Sequence, residues 1–151
     1  MTVAAPRVLI VANRTAATQP LLDAVRRRAQ AGPARFHLVV PATPHGLHRV
    51  VDPEDSGREE AEARLEAALV LLSEAAGSHV TGNVGSADPM AAIADVINDR
   101  RVYEIIISTL PRRLSRWMHL DLPSKVRGMG LPVTHVEAST AASDVARGRA
   151  A

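Results

Sequence analysis

The sequence predicts a doubly wound α/β domain, a five-stranded parallel sheet of order 3-2-1-4-5 with helices on both faces. Three observations carry that prediction. Five short apolar runs, Arg7 to Ala12, Arg35 to Val40, His79 to Val84, Tyr103 to Ser108 and Pro132 to Glu137, are continuous rather than alternating, which suits strands covered on both faces. Helical stripes separate them in strict alternation, so the connections are right-handed crossovers. A chain of 151 residues with 46% hydrophobic content supplies one core and not two.

The elements follow in order. After the first run, Leu21, Leu22, Val25 and Ala29 make one helical stripe, with Thr18 as N-cap, Pro20 in the first turn and Gly32 as the stop. The longest helix reads from Pro53 to Ala76. Ala61, Leu65, Ala68, Leu69 and Leu72 form its core stripe, while Glu54, Asp55, Glu59 and Glu60 complement its positive end and Gly77 closes it. Asp88-Pro89 caps a third helix whose inward face reads as Met90, Ile93, Ala94 and Ile97. A short fourth helix begins at Asp121-Leu122-Pro123 and ends at Gly128 or Gly130. The domain is thus expected over 1–137, followed by an Ala-Ser-Thr-rich tail, 138–151, expected to be mobile.

Composition removes several functions. With 18 basic against 16 acidic side chains the net charge is only +2, and aromatics are 2%, so neither an electrostatic footprint nor a stacking platform marks a nucleic-acid binder. No cysteine means no disulfide, no thiol catalysis and no Cys-based zinc site. The six histidines show no helical i, i+4 pair with a third ligand. No apolar run approaches the roughly 18 residues of a membrane span. The expected address is therefore cytoplasmic, without membrane or nucleic-acid partners and without a metal.

The most informative segment is the buried strand Ile105-Ile106-Ile107 running into Ser108-Thr109-Leu110-Pro111-Arg112-Arg113-Leu114-Ser115-Arg116. Open α/β sheets bind ligands at the carboxyl ends of their strands, at the point where the strand order reverses. Asn13, Arg14 and Thr15 are therefore expected to face Ser108, Thr109, Arg112, Arg113, Ser115 and Arg116 across one cleft, with Pro41 and Ala42 on its rim. Guanidinium forks grip phosphate or carboxylate in two-point geometry, so a small anionic ligand is expected there. In a chain with 17 arginines and one lysine, a solvated arginine loop is the competing reading.

Other constellations lack their essential parts. Ser115, His119 and Asp121 have no Gly-x-Ser-x-Gly elbow and no oxyanion hole. His45-Gly46-Leu47-His48 resembles a nucleotidyltransferase signature, but its glycine is displaced and it follows the second strand instead of the first. No P-loop sequence is present. Trp117-Met118 leaves three readings open: a lid over the cleft, a contact surface, or packing back onto the sheet edge.

Val8-Leu9-Ile10-Val11-Ala12, then Val84 to Pro89 leading into Ala91-Ala92-Ile93, then Glu104 to Ile107, Leu114-Ser115-Arg116 and Pro132 to Val136, resemble the universal stress protein family in order and spacing over residues 7–137. The resemblance implies a regulatory or stress-response module that binds ATP or AMP. ATP-binding members resemble Gly-x2-Gly-x9-Gly-Ser/Thr after the fourth strand, where glycines let backbone N–H groups approach the phosphates. Thr109, Arg112, Leu120 and Asp121 stand at those positions here, in a loop two residues shorter. Asn13 stands where many members carry an acidic residue. The resemblance thus implies a degenerate site holding ATP or AMP only weakly, without self-evident catalysis. The alternative is slow ATP hydrolysis, with Arg112, Arg113 and Arg116 clamping phosphates.

Many relatives dimerise by pairing the last strand with its twin, so Pro132 to Glu137 is expected to form a homodimer edge. In that reading Val133 packs across the two-fold axis, and Thr134 and His135 turn to the other face.

Overall fold

A computed structural model of the chain describes residues 4–42 and 53–138. The elements are β1 (Arg7–Val11), α1 (Gln19–Ala31), β2 (Arg35–Pro41), α2 (Pro53–Ala76), β3 (Thr81–Gly85), α3 (Pro89–Asp99), β4 (Glu104–Thr109), α4 (Arg116–His119), α5 (Leu122–Arg127) and β5 (Val133–Glu137). The five strands form one sheet of order β3-β2-β1-β4-β5, with every neighbouring pair parallel. Fold class and strand order are as the sequence predicts.

Alternation along each strand divides the core into two layers. Val8, Ile10, Leu38, Val40 and Ile106 pack under α1 and α2 with Leu21, Val25, Ala68 and Leu72. Leu9, Val11, Val39, Ile105 and Ile107 pack on the opposite face with Ile93, Val96, Leu122 and Val126. Both faces are covered, which is why the central strands read as unbroken apolar runs.

Local features differ from expectation where packing intervenes. Thr18 occupies the N-cap position of α1, yet its hydroxyl donates to the Thr15 carbonyl at 2.9 Å and makes no capping bond. Asp88 does cap α3, accepting from the Met90 N–H at 3.0 Å. The buried face of α3 is Pro89, Ala92, Ile93 and Val96, rotated from the expected one. The reason is Gly85: a Cβ there would lie 2.8 Å from the Ala92 Cβ, so the bare glycine draws Ala92 against the sheet. Met90, Ala94 and Ile97 are consequently only partly buried. β3 begins at Thr81 rather than His79 and is partly exposed, because it is an edge strand. Trp117 and Met118, expected in a loop, lie in the helical turn α4.

Of the expected tail, Ala138 belongs to the domain. It is 2% exposed and its N–H donates to the Thr109 carbonyl at 2.8 Å. Residues 139–151, the His45 to His48 segment and the side chains of Glu54 and Asp55 lie outside the described residues. No described helix is long and apolar enough to cross a membrane.

β5 closes one edge of the sheet, and its side-chain directions differ from the expected dimer geometry. The Pro132 carbonyl accepts from Ile105 and the Ala138 N–H donates to Thr109, so both residues turn their backbone toward β4. Alternate residues share a side, which sends the Thr134 N–H inward and leaves the backbone groups of Val133, His135 and Glu137 on the open edge. The side chains of Val133 and His135 also share a face, because they are two residues apart. Val133 packs with the α3 and α5 layer and Val136 with the α1 and α2 layer.

Candidate functional site

β1 and β4 are neighbours whose chains depart to opposite faces of the sheet, and between their carboxyl ends opens a cleft of about 410 Å³. Asn13, Arg14 and Thr15 line it from the exit of β1. Ser108, Thr109 and Leu110, then Leu114, Ser115, Arg116, Trp117 and His119, line it from the exit of β4. Its position is the switch point of the doubly wound sheet.

The floor is a pair of buried hydroxyls. Thr15 Oγ1 and Ser108 Oγ are 2.7 Å apart, and the two residues are 2% and 1% exposed. Ser108 follows Ile106 onto the α1 side of the sheet, where Thr15 meets it. Thr109 follows Ile107 onto the other side and is hydrogen bonded through Oγ1 to His135 Nε2 at 2.8 Å. Both hydroxyls ending the strand therefore have partners, as burial demands.

Asn13 is held at both ends of its amide. Its Nδ2 donates to the Pro41 carbonyl at 2.6 Å, and its Oδ1 accepts from Arg64 of α2. This latch joins the ends of β1 and β2. Pro41 and Ala42 accordingly are not among the residues lining the cleft. Arg64 carried no sequence signal beyond its place on a long polar helix.

The arginine loop divides its charges. The Leu114 N–H donates to the Pro111 carbonyl at 2.8 Å, closing a turn with Arg112 and Arg113 at its exposed tip. The Arg112 N–H also donates to Glu137 Oε1 at 2.9 Å, tying the loop to β5. Arg113 does not line the cleft, and Arg112 borders a separate depression with Met118, His119 and Asp121. Arg116 alone of the three reaches the cleft, because Ser115 caps α4 by accepting from the Met118 N–H at 3.2 Å and starts a helical turn there. A Ser followed by a helix-compatible run is a signal available in sequence. Leu110, Leu114, Trp117 and His119 were not among the expected site residues.

Trp117 resolves its three readings in part. It is half-buried against the α3 and α5 core layer and also forms a wall of the cleft.

Among the described residues no carboxylate lines the cleft, and neither Arg14 nor Arg116 is paired with one. Asp121 lines the adjoining depression. It sits in the left-handed region at φ 54° and makes no side-chain capping bond to α5, contrary to its expected role as a cap. Burial pushes the His135 imidazole below the ordinary histidine range, against the opposing pull of Glu137, and Arg127 lowers it further. His135 is therefore a neutral partner for Thr109 at neutral pH. No group of three or more potential metal ligands occurs among the described residues.

Fold and site together define a doubly wound α/β protein with an open cleft at its switch point. No protein-family model matches the sequence, and no curated protein matches it. Solved structures do share the fold. A universal stress protein from Archaeoglobus fulgidus superposes with a TM-score of 0.62 at 14% identity, covering 88% of this chain and 94% of that one. A universal stress protein in complex with cAMP gives 0.59 at 18% identity, covering 91% and 100%. A universal stress family protein from Arabidopsis thaliana with AMP bound gives 0.54 at 13% identity, covering 89% and 93%. The chain therefore has the universal stress protein fold.

Proposed function

We propose that this protein is a regulatory module of universal stress type, a homodimer that binds a small anion or nucleotide in the cleft between β1 and β4. The observation that carries the reading is the cleft's charge. Arg14 and Arg116 face it, the Thr15 and Ser108 hydroxyls lie at its floor, and no described acid lines it. The solved structures of this fold in complex with cAMP, dAMP and AMP support a nucleotide as one occupant. The site is degenerate in this reading. Thr109, Arg112, Leu120 and Asp121 stand where glycines and a hydroxyl would let backbone amides reach the phosphates, and Asp121 repels what they would attract. Arg116 and Arg14 supply anion affinity through side chains instead.

The reading is one of binding, and slow ATP hydrolysis is its alternative. The open edge of β5 supports the dimer, since an uncovered edge strand is commonly paired. The role suits a cytoplasmic sensor of metabolite level. Mass spectrometry of the protein purified without added ligand, followed by calorimetry with AMP and with ATP and magnesium, tests the reading. Co-purified AMP or weak binding of either nucleotide is expected. Tight, magnesium-dependent ATP binding would overturn the degenerate site, and no binding of any anion would overturn the proposal.

A further inference from the structure

The Thr15 and Ser108 hydroxyls carry two protons, and the 2.7 Å bond between them uses one. The other has no protein acceptor among the described residues, although both groups are at least nine-tenths buried and line the cleft. The floor therefore offers one O–H donor to whatever enters. Arg14 and Arg116 add two guanidinium groups at the same cleft. The Asn13 amide spends one N–H on Pro41 and one oxygen lone pair on Arg64, so the latch fixes its orientation. The rest of the wall carries Leu110, Leu114 and Trp117 as an apolar part, beside Thr109, Ser115 and His119. Leu114 is 56% exposed, an apolar side chain standing at the cleft mouth with water on it.

We infer that the cleft is built for a phosphate monoester carried on a flat apolar body. The dianionic head meets Arg14, Arg116 and the spare hydroxyl proton, and the body covers Leu114 and Trp117. This rests on the anion-site reading above and narrows it. The adjoining depression sets the Asp121 carboxylate beside Arg112, so it offers a chain of further phosphates no net positive charge from that pair. Selectivity thus comes from the single head and the apolar body.

Trp117 is the only tryptophan, so its emission reports directly on the cleft. The full chain is titrated with phenyl phosphate, inorganic phosphate and ATP, followed by Trp117 fluorescence and calorimetry. Phenyl phosphate is expected to bind about ten-fold or more tighter than inorganic phosphate, from burial of the ring against the wall. It is also expected to bind tighter than ATP. Ser108→Ala is expected to weaken phenyl phosphate by about ten-fold, the loss of a hydrogen bond to a charged group. Because Ser108 is buried, the exposed Leu114→Ser is the second variant. It should erase the preference for the phenyl ester over inorganic phosphate. Equal affinity for phenyl and inorganic phosphate overturns the apolar-body inference, as does an unchanged preference in Leu114→Ser. If ATP or AMP binds tightly and phenyl phosphate does not, this inference fails while the nucleotide reading stands. If nothing binds, both fail.

Discussion

Thr109 and His135 are joined across the β4–β5 boundary by a 2.8 Å hydrogen bond between hydroxyl and imidazole. With the bonds from Arg112 to Glu137 and from Ala138 to Thr109, it clasps the cleft loop to the edge strand at three points. Two surfaces that look separate in sequence, the ligand cleft and the open edge, share one set of contacts.

That clasp makes stability pH-dependent. His135 and the buried His37 are both pushed below the ordinary histidine range, first by burial. For His37, the Asn83 bond opposes the shift and Arg100 and Arg7 add to it. The unfolded chain therefore binds protons that the folded chain refuses between the two values, and unfolding free energy rises with pH there. Stability is full above about pH 6.5, the ordinary histidine value, and is lost as pH falls through that window. Urea midpoints measured between pH 7.5 and 5.5 should decline in the wild type and flatten in the His37→Gln, His135→Gln variant. A flat wild-type profile would remove the two histidines from the account.

Gly82 of β3 has no room for a side chain. A Cβ there would stand 2.6 Å from Leu65 Cδ1 and 2.9 Å from the Leu38 carbonyl oxygen, and the latter is backbone that cannot move away. Gly82→Ala is expected to cost about 1–3 kcal/mol by overpacking between α2 and the sheet. Gly32, whose added Cβ would meet nothing within 4 Å, is the control. Gly32→Ala should be neutral or slightly stabilising in chemical denaturation.

Asp121 holds a left-handed conformation at φ 54° without a capping bond in return. Asp121→Gly should stabilise the protein by about 1 kcal/mol, the cost of that conformation for a residue with a Cβ. It also removes the charge beside the cleft. Calorimetry should show ATP binding more tightly to the variant, and an unchanged affinity would mean that the adjoining depression plays no part in ligand selection.

For the proposed dimer, the informative position is Val133. Its N–H faces the open edge, so Val133→Pro should shift the protein toward monomer in sedimentation while the domain stays folded. Thr134→Pro instead removes a bond to β4 and should lower the unfolding midpoint. Trp117→Ala should leave assembly intact. Dissociation by Trp117→Ala, with Val133→Pro still dimeric, would move the contact to α4.

Sequence alone determined the doubly wound sheet, the bounds of α2 and the place of the cleft, because continuous apolar runs, helix stops and the switch-point rule are local or topological signals. Gly77 ends α2 at positive φ, as its position after Ala76 implied. Tertiary structure decided which polar groups are free. Arg112, Arg113 and Arg116 are equivalent as letters, yet the turn from Pro111 to Leu114 places two outside the cleft and the cap at Ser115 turns the third inward. Asn13 reads as an open ligand group until Arg64, 51 residues away, closes on it. The rotation of α3 and the direction of the Thr134 N–H belong to the same class. Each depends on what a distant backbone brings alongside, and side-chain identity along the chain carries no record of that distance.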